Sequence, residues 1–240
     1  MADDRVVPSA RRRLASTLRN DDRFVAWTAT VAITMLAGFL RLWKLGRPHA
    51  FLFDKTYYAK DAWSLWNHGY VTGYVDGAND KILAGNLDGL WTSSPSMVVH
   101  PEAGKWLIAL GEHFFGMDPF GWRIASAVVG TLMVAVMIRL ARRVTGSTLL
   151  GCVAGLLLCF DGLQLVLSRL ALLDIFLAFF VLCAVSCLVA DRDWGRLRMA
   201  RLVSTGYRTT AKDWGPVRGL LWRPWRLGAG VFFGLACATK

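Results

Sequence analysis

Apolar residues recur in runs close to twenty long, at residues 24–43, 121–138, 148–166 and 170–190. Roughly 20 apolar residues in helix cross the ~30 Å hydrocarbon layer of a bilayer, so each run is predicted to be a membrane span. A short turn around Leu167-Ser168-Arg169 separates the third from the fourth. A last apolar segment, 227–240, is too short to cross. Because the sequence stops inside it with no polar cap, the chain is expected to be the N-terminal portion of a longer multispan protein, with 227–240 the start of a truncated fifth span.

The polar segments alternate in character. Residues 1–23 form a basic arm with Arg5, Arg11, Arg12, Arg13, Arg19 and Arg23, and residues 191–226 form a basic loop; Arg139, Arg142 and Arg143 follow the second span. Segment 44–120 is longer and carries both signs. The positive-inside rule places the arm and the basic loop in the cytoplasm and 44–120 outside, in a multi-pass protein of the cell membrane. Residues 24–190 make up the transmembrane core together with that external loop.

Composition agrees: 55% of residues are hydrophobic, which a soluble domain could not bury. The net charge of +11 alternates with the spans, so it reads as membrane orientation and attraction to anionic lipids, with no nucleic-acid partner expected. The five cysteines all fall in apolar runs, which supports neither a disulfide framework nor a zinc site. The N-terminal segment is too polar and too long for a cleavable signal peptide.

Within the external loop, Thr56–His68 and Gly104–Phe115 mix aromatic, aliphatic and charged residues at helical spacing. They are predicted to be helices lying along the membrane interface. Between them, Gly69–Val99 is rich in Gly, Asn, Asp and Ser and is predicted to be a loop able to close over a site.

Asp54 follows the apolar run Ala50-Phe51-Leu52-Phe53. Two readings fit it: a partly desolvated carboxylate acting as a base, or the N-cap of the helix that follows. Arg41, Arg123 and Arg169 stand at the external ends of spans; each could snorkel to the interface, and together they could converge on a lipid phosphate. Asp174 lies five residues after Arg169, where a carboxylate near hydrocarbon is either paired with that arginine or functional. His100 is a ligand, a base or a solvated loop histidine, and Lys105 an anchor or a phosphate contact. Lys55, beside Asp54, and Asp61, on the first interfacial helix, are supporting charges. No histidine or carboxylate spacing defines a metal site, and no cofactor is expected.

Several ordered segments together resemble the protein O-mannosyltransferases of the bacterial, actinobacterial type (polyprenyl-phosphate-mannose–protein mannosyltransferases, glycosyltransferase family 39). They are Arg41-Leu42-Trp43 thirteen residues before Asp54, Thr56-Tyr57-Tyr58-Ala59-Lys60-Asp61-Ala62, His100-Pro101-Glu102-Ala103-Gly104-Lys105-Trp106, Gly121-Trp122-Arg123 and Ser168-Arg169-Leu170-Ala171-Leu172-Leu173-Asp174. The resemblance implies an all-α integral-membrane GT-C bundle with its site in the first external loop. It further implies an inverting transfer of mannose from a polyprenyl-phosphate-mannose donor lipid to Ser/Thr hydroxyls of acceptor proteins. On that template Asp54 is the base, Arg41 and Arg123 organise the phosphate, and Lys105 and Arg169 assist. The chain departs from the family pattern at Lys55, where the family has Glu, and at Glu102-Ala103, where it has Pro-Leu. The alternatives are a GT-C transferase acting on a glycan or lipid acceptor, and an inactive donor-lipid-binding or assembly subunit.

Overall fold

A computed structural model describes residues 7–50, 55–96, 99–204 and 223–240, with side chains described from residue 22 onward except at 55, 56, 202 and 203. Helix α1 covers Val7–Leu42. No glycine or proline falls between Pro8 and Gly38, so the helix runs unbroken from the basic arm into the first span. Helix α2 (Lys55–His68), strand β1 (Thr72–Tyr74), helix α3 (Ala78–Leu83), strand β2 (Trp91–Pro95) and helix α4 (Ala103–Phe115) form the layer that follows α1. Then come α5 (Gly121–Thr145), α6 (Thr148–Phe160), α7 (Gly162–Leu167), α8 (Leu173–Ser204) and α9 (Pro224–Cys237).

Among the described residues, three helical segments are long and apolar enough to cross a membrane: Asp22–Leu42, Gly121–Thr145 and Leu173–Arg201. The predicted span 148–166 is instead two helices. Helix α6 stops at Phe160, and the Asp161 carboxylate accepts a hydrogen bond from Gln164 N at 2.7 Å, capping α7. Helix α8 carries the predicted fourth span past residue 190 into the basic segment.

Helices α1 and α5 run antiparallel. Asp22 meets Arg142 at one end (2.7 Å), and Arg123 reaches the Leu45 carbonyl at the other (2.8 Å). Gly146 (φ 72°) ends α5 and donates to the Arg142 carbonyl, and Ser147 caps α6, so the chain reverses in two residues. Gly151 and Gly155, spaced four apart, then let α6 lie against α5. A Cβ at Gly155 would stand 2.2 Å from Ile138 Cγ1. Helix α9 packs back along α8 through Arg223 and Arg226 on the buried Asp191, and through Phe232 on Phe180.

The segment predicted to be loop, 69–99, holds α3 and an antiparallel pair with Thr72 opposite Pro95 and Tyr74 opposite Trp91. Three- and five-residue strands are too short to show alternation in a sequence. What fixes them is aromatic packing: Trp91 lies 4.8 Å from the Tyr74 ring and 4.6 Å from His68.

Candidate active site and arginine cleft

Two adjoining groups of ionisable residues occupy the loop-bearing end of the bundle. The first lies between α2 and α4. Lys105 Nζ is 2.8 Å from Asp61 Oδ2, and the lysine is fully buried. Burial pushes the Asp61 carboxyl above its ordinary value, and Lys105 and then Lys60 partly offset this. The Lys60 ammonium stands over the rings of Tyr74 and Tyr57, at 5.2 and 5.9 Å, and burial lowers its pKa. The Tyr74 hydroxyl donates to the Lys60 carbonyl at 2.7 Å, and burial followed by the Glu112 and Asp61 carboxyls pushes its pKa up. His100 packs beside Tyr58, with ring centroids 5.9 Å apart.

Helix α4 forms where an interfacial helix is expected, and its two faces differ sharply. Its Lys105 and Glu112 are fully buried, whereas Trp106, Leu110, His113, Phe114 and Phe115 are exposed. At a lipid boundary this is the favourable orientation: apolar side chains meet acyl chains, and charges turn inward. Glu112 has no hydrogen-bond partner for either oxygen among the described residues, and burial raises its pKa well above the ordinary value.

The second group surrounds a cleft of about 310 Å³ lined by Arg47, Pro48, Arg123, Leu165, Val166, Arg169 and Leu170. Arg123 is buried and donates to three carbonyls of the segment after α1: Leu45 (2.8 Å), Pro48 (2.9 Å) and Ala50 (3.3 Å). Arg169 donates to Leu40, Trp43 and Lys44 carbonyls, satisfying the C-terminal end of α1. Among the described residues no carboxylate pairs with Arg47, Arg123 or Arg169. Cationic donors over aliphatic walls suit an anion carried on a hydrocarbon chain.

The candidate residues therefore divide. Arg123 and Arg169 come together, joined by Arg47, which the sequence reading passed over because it lies outside any span. Arg41 does not line the cleft; it is buried between α1, α5 and α7, where it donates to the Ala37 carbonyl (3.0 Å) and to Gln164 Oε1. Gln164 in turn donates to the Gly130 carbonyl at 3.2 Å. A single glutamine in an apolar run was the only sequence signal for that node. The Arg169–Asp174 pairing does not form: Asp174 accepts from Lys240 at 2.6 Å, because Arg169 turns back onto α1. Asp54 lies outside the described residues, immediately before the first residue of α2, and the Lys55 side chain is likewise not described.

The fold and this end of the bundle define a polytopic helical membrane protein with a helical layer on one face and an arginine-lined cleft beneath it. The sequence matches the dolichyl-phosphate-mannose-protein mannosyltransferase family over residues 31–200, and the chain belongs to that family. It is 43% identical over 222 residues to the polyprenol-phosphate-mannose–protein mannosyltransferase of Mycolicibacterium smegmatis (strain MKD8), covering 91% of this chain and 39% of the relative. Identity is 37% over 210 residues to the protein of the same name from Corynebacterium glutamicum, covering 87% of this chain and 36% of the relative. An undecaprenyl phosphate-alpha-4-amino-4-deoxy-L-arabinose arabinosyl transferase of Pseudomonas aeruginosa (strain LESB58) is 39% identical over 147 residues, 58% of this chain and 26% of its own length. No solved structure gives a significant match. The chain thus spans about 39% of the length of the curated mannosyltransferases it matches.

Proposed function

We propose that the full protein transfers mannose from a polyprenyl-phosphate-mannose lipid to Ser/Thr hydroxyls of acceptor proteins, with inversion, and that this chain supplies the donor-phosphate side and the base. The observation that carries the reading is the cleft lined by Arg47, Arg123 and Arg169 with Leu165, Val166 and Leu170 beside it. A phosphate on a prenyl chain needs cationic donors next to apolar walls, and both are present.

In the proposed reaction Asp54 accepts the hydroxyl proton of the acceptor. The freed oxygen bonds to the anomeric carbon as the bond from that carbon to the phosphate oxygen breaks, and polyprenyl phosphate leaves as an anion. The transition state carries positive charge on the sugar and growing negative charge on the phosphate, so a carboxylate and guanidinium groups on opposite sides lower the barrier. The leaving phosphate needs no proton. Arg123 serves two purposes: its charge faces the cleft, and its hydrogen bonds fix residues 45–50, the stretch leading into Asp54. Arg41 acts from behind through its contact with Gln164 on α7, and Lys105 and Asp61 brace the layer above.

The test is Asp54→Asn in the full-length protein, assayed for mannose transfer to a Ser/Thr peptide. Loss of transfer with donor binding retained is expected; unchanged turnover removes Asp54 from the mechanism. The similarity to an arabinosyl transferase whose name gives an undecaprenyl-phosphate sugar and no protein acceptor leaves one second reading, in which the same donor side serves a glycan or lipid acceptor. Parallel assays with peptide and glycan acceptors separate the two.

A further inference from the structure

At the opposite end of the bundle from the donor cleft, a cavity of about 520 Å³ opens between α1, α5 and α8. Three guanidinium groups line it: Arg139, Arg142 and Arg143. Their charges are unequally compensated. Arg142 is paired with Asp22 at 2.7 Å, and Arg143 reaches Asp193 only at 3.6 Å, a carboxylate that already accepts from Arg192 at 3.0 Å. Arg139 has no carboxylate partner among the described residues, and its Nη1 is buried without a hydrogen bond. The guanidinium instead lies over the ring of Trp27, its Cζ 4.0 Å from the centroid.

The remaining lining narrows the choice of ligand. The hydroxyls of Thr30 and Ser186 donate to carbonyls of their own helices, Ala26 (2.6 Å) and Leu182 (2.8 Å). Besides the indole N–H of Trp27, the donors left for a ligand are therefore guanidinium N–H groups, which select an acceptor-only anion. Ala135, Val136 and Leu140 supply an apolar wall, and the exposed Trp27 stands at the rim as interfacial tryptophans do. Charge, donor type and an apolar wall on membrane-spanning helices all fit one occupant.

We propose that this cavity binds the phosphodiester headgroup of an anionic membrane phospholipid, with Arg139 as its principal contact and the acyl chains running along α1 and α5. Basic pockets between spanning helices are a recognised way of holding such headgroups. The site is separate from the donor cleft, so it is independent of the mannosyl-transfer reading. It ties a lipid to the junction of three helices, two of which begin or end at the donor cleft.

The test uses the full chain reconstituted in nanodiscs of phosphatidylglycerol and phosphatidylcholine in equal parts, with bound lipid read by native mass spectrometry after release. The unaltered protein is expected to keep phosphatidylglycerol in preference to phosphatidylcholine. Arg139→Gln should reduce that retention by about tenfold or more. Arg196→Gln, which removes the same charge from an exposed position of α8 outside the cavity, should not. Ala135→Phe fills the cavity while keeping every arginine and should also release the lipid, so the proposal stays testable if Arg139→Gln fails to fold. Equal losses in Arg139→Gln and Arg196→Gln, retention in Ala135→Phe, no preference between the two lipids, or displacement by inorganic phosphate alone would each overturn the assignment.

Discussion

Lys105 Nζ lies 2.8 Å from Asp61 Oδ2, and this ion pair joins α2 and α4 across a buried contact. Lys105 sits on the first turn of α4, and Asp61 lies at the middle of α2. Removing one partner leaves the other charge buried alone, which costs about 3–5 kcal/mol, whereas replacing both with apolar residues of similar size is close to neutral. Lys105→Met is therefore expected to lower the unfolding temperature clearly. The Lys105→Met, Asp61→Leu double substitution should recover most of the loss. A double-mutant cycle by thermal unfolding in detergent checks this, and additive losses would show that the pair is not coupled.

Glu112 gives the protein a pH dependence of defined sign. Its folded pKa is raised above the ordinary value of 4.5 by burial, so the folded state holds its proton more tightly than the unfolded state. Stability is unaffected below the unfolded pKa and falls as pH rises from there to the folded pKa, by about 1.4 kcal/mol per pH unit within that window. Glu112→Gln keeps the shape and removes the titration. The difference in unfolding temperature between Glu112→Gln and the unaltered protein should widen in favour of the glutamine as pH increases above about 4.5. A constant difference across pH would mean that the carboxyl is not buried as described.

The parts of this molecule that a sequence states plainly are those set by length. Asp22–Leu42, Gly121–Thr145 and Leu173–Arg201 were legible because crossing a bilayer demands a long apolar run. The break at Asp161 was not, because one carboxylate in an apolar run looks the same whether it is exposed or caps a helix. The facing of α4 was not legible for a related reason: periodicity finds two faces and does not say which one is buried. Of the site, Arg123 and Arg169 were brought together as expected, Arg47 was missed, and Arg41 went inward to a glutamine whose importance depends on a contact 123 residues away. Such long-range partners have no local signature. Asp54, the proposed base, rests on the family resemblance and its place directly before α2.

Two glycines should respond oppositely to the same change. A Cβ at Gly111 would stand 2.4 Å from the Gly121 carbonyl oxygen and 2.8 Å from Ile124 Cγ2, where α4 crosses the start of α5. Backbone cannot yield there, so Gly111→Ala is expected to destabilise by about 1–3 kcal/mol. Gly230 lies within α9 with nothing within 4 Å of a Cβ. Gly230→Ala should be neutral or stabilising by about 0.5–1 kcal/mol through helix propensity. Unfolding temperatures of the two variants decide the matter, and equal effects would contradict the α4–α5 contact.

Arg123 and Arg169 line one cleft yet should fail differently in the full-length enzyme. Arg123 spends its Nη groups on the carbonyls of Leu45, Pro48 and Ala50, four residues before Asp54. Releasing that segment misplaces the proposed base, and a displacement of about 1 Å can cost on the order of a hundredfold in rate. Arg123→Lys keeps the charge but loses the planar fork that reaches three carbonyls, so it should not restore the turnover lost in Arg123→Gln. Arg169 is more open, and its substitution by glutamine should instead weaken donor binding, raising KM for the lipid more than it lowers kcat. Steady-state kinetics with a polyprenyl-phosphate-mannose donor would distinguish these outcomes. If Arg123→Lys turns over normally, the guanidinium acts through its charge alone, and the hydrogen bonds to residues 45–50 have no part in placing the base.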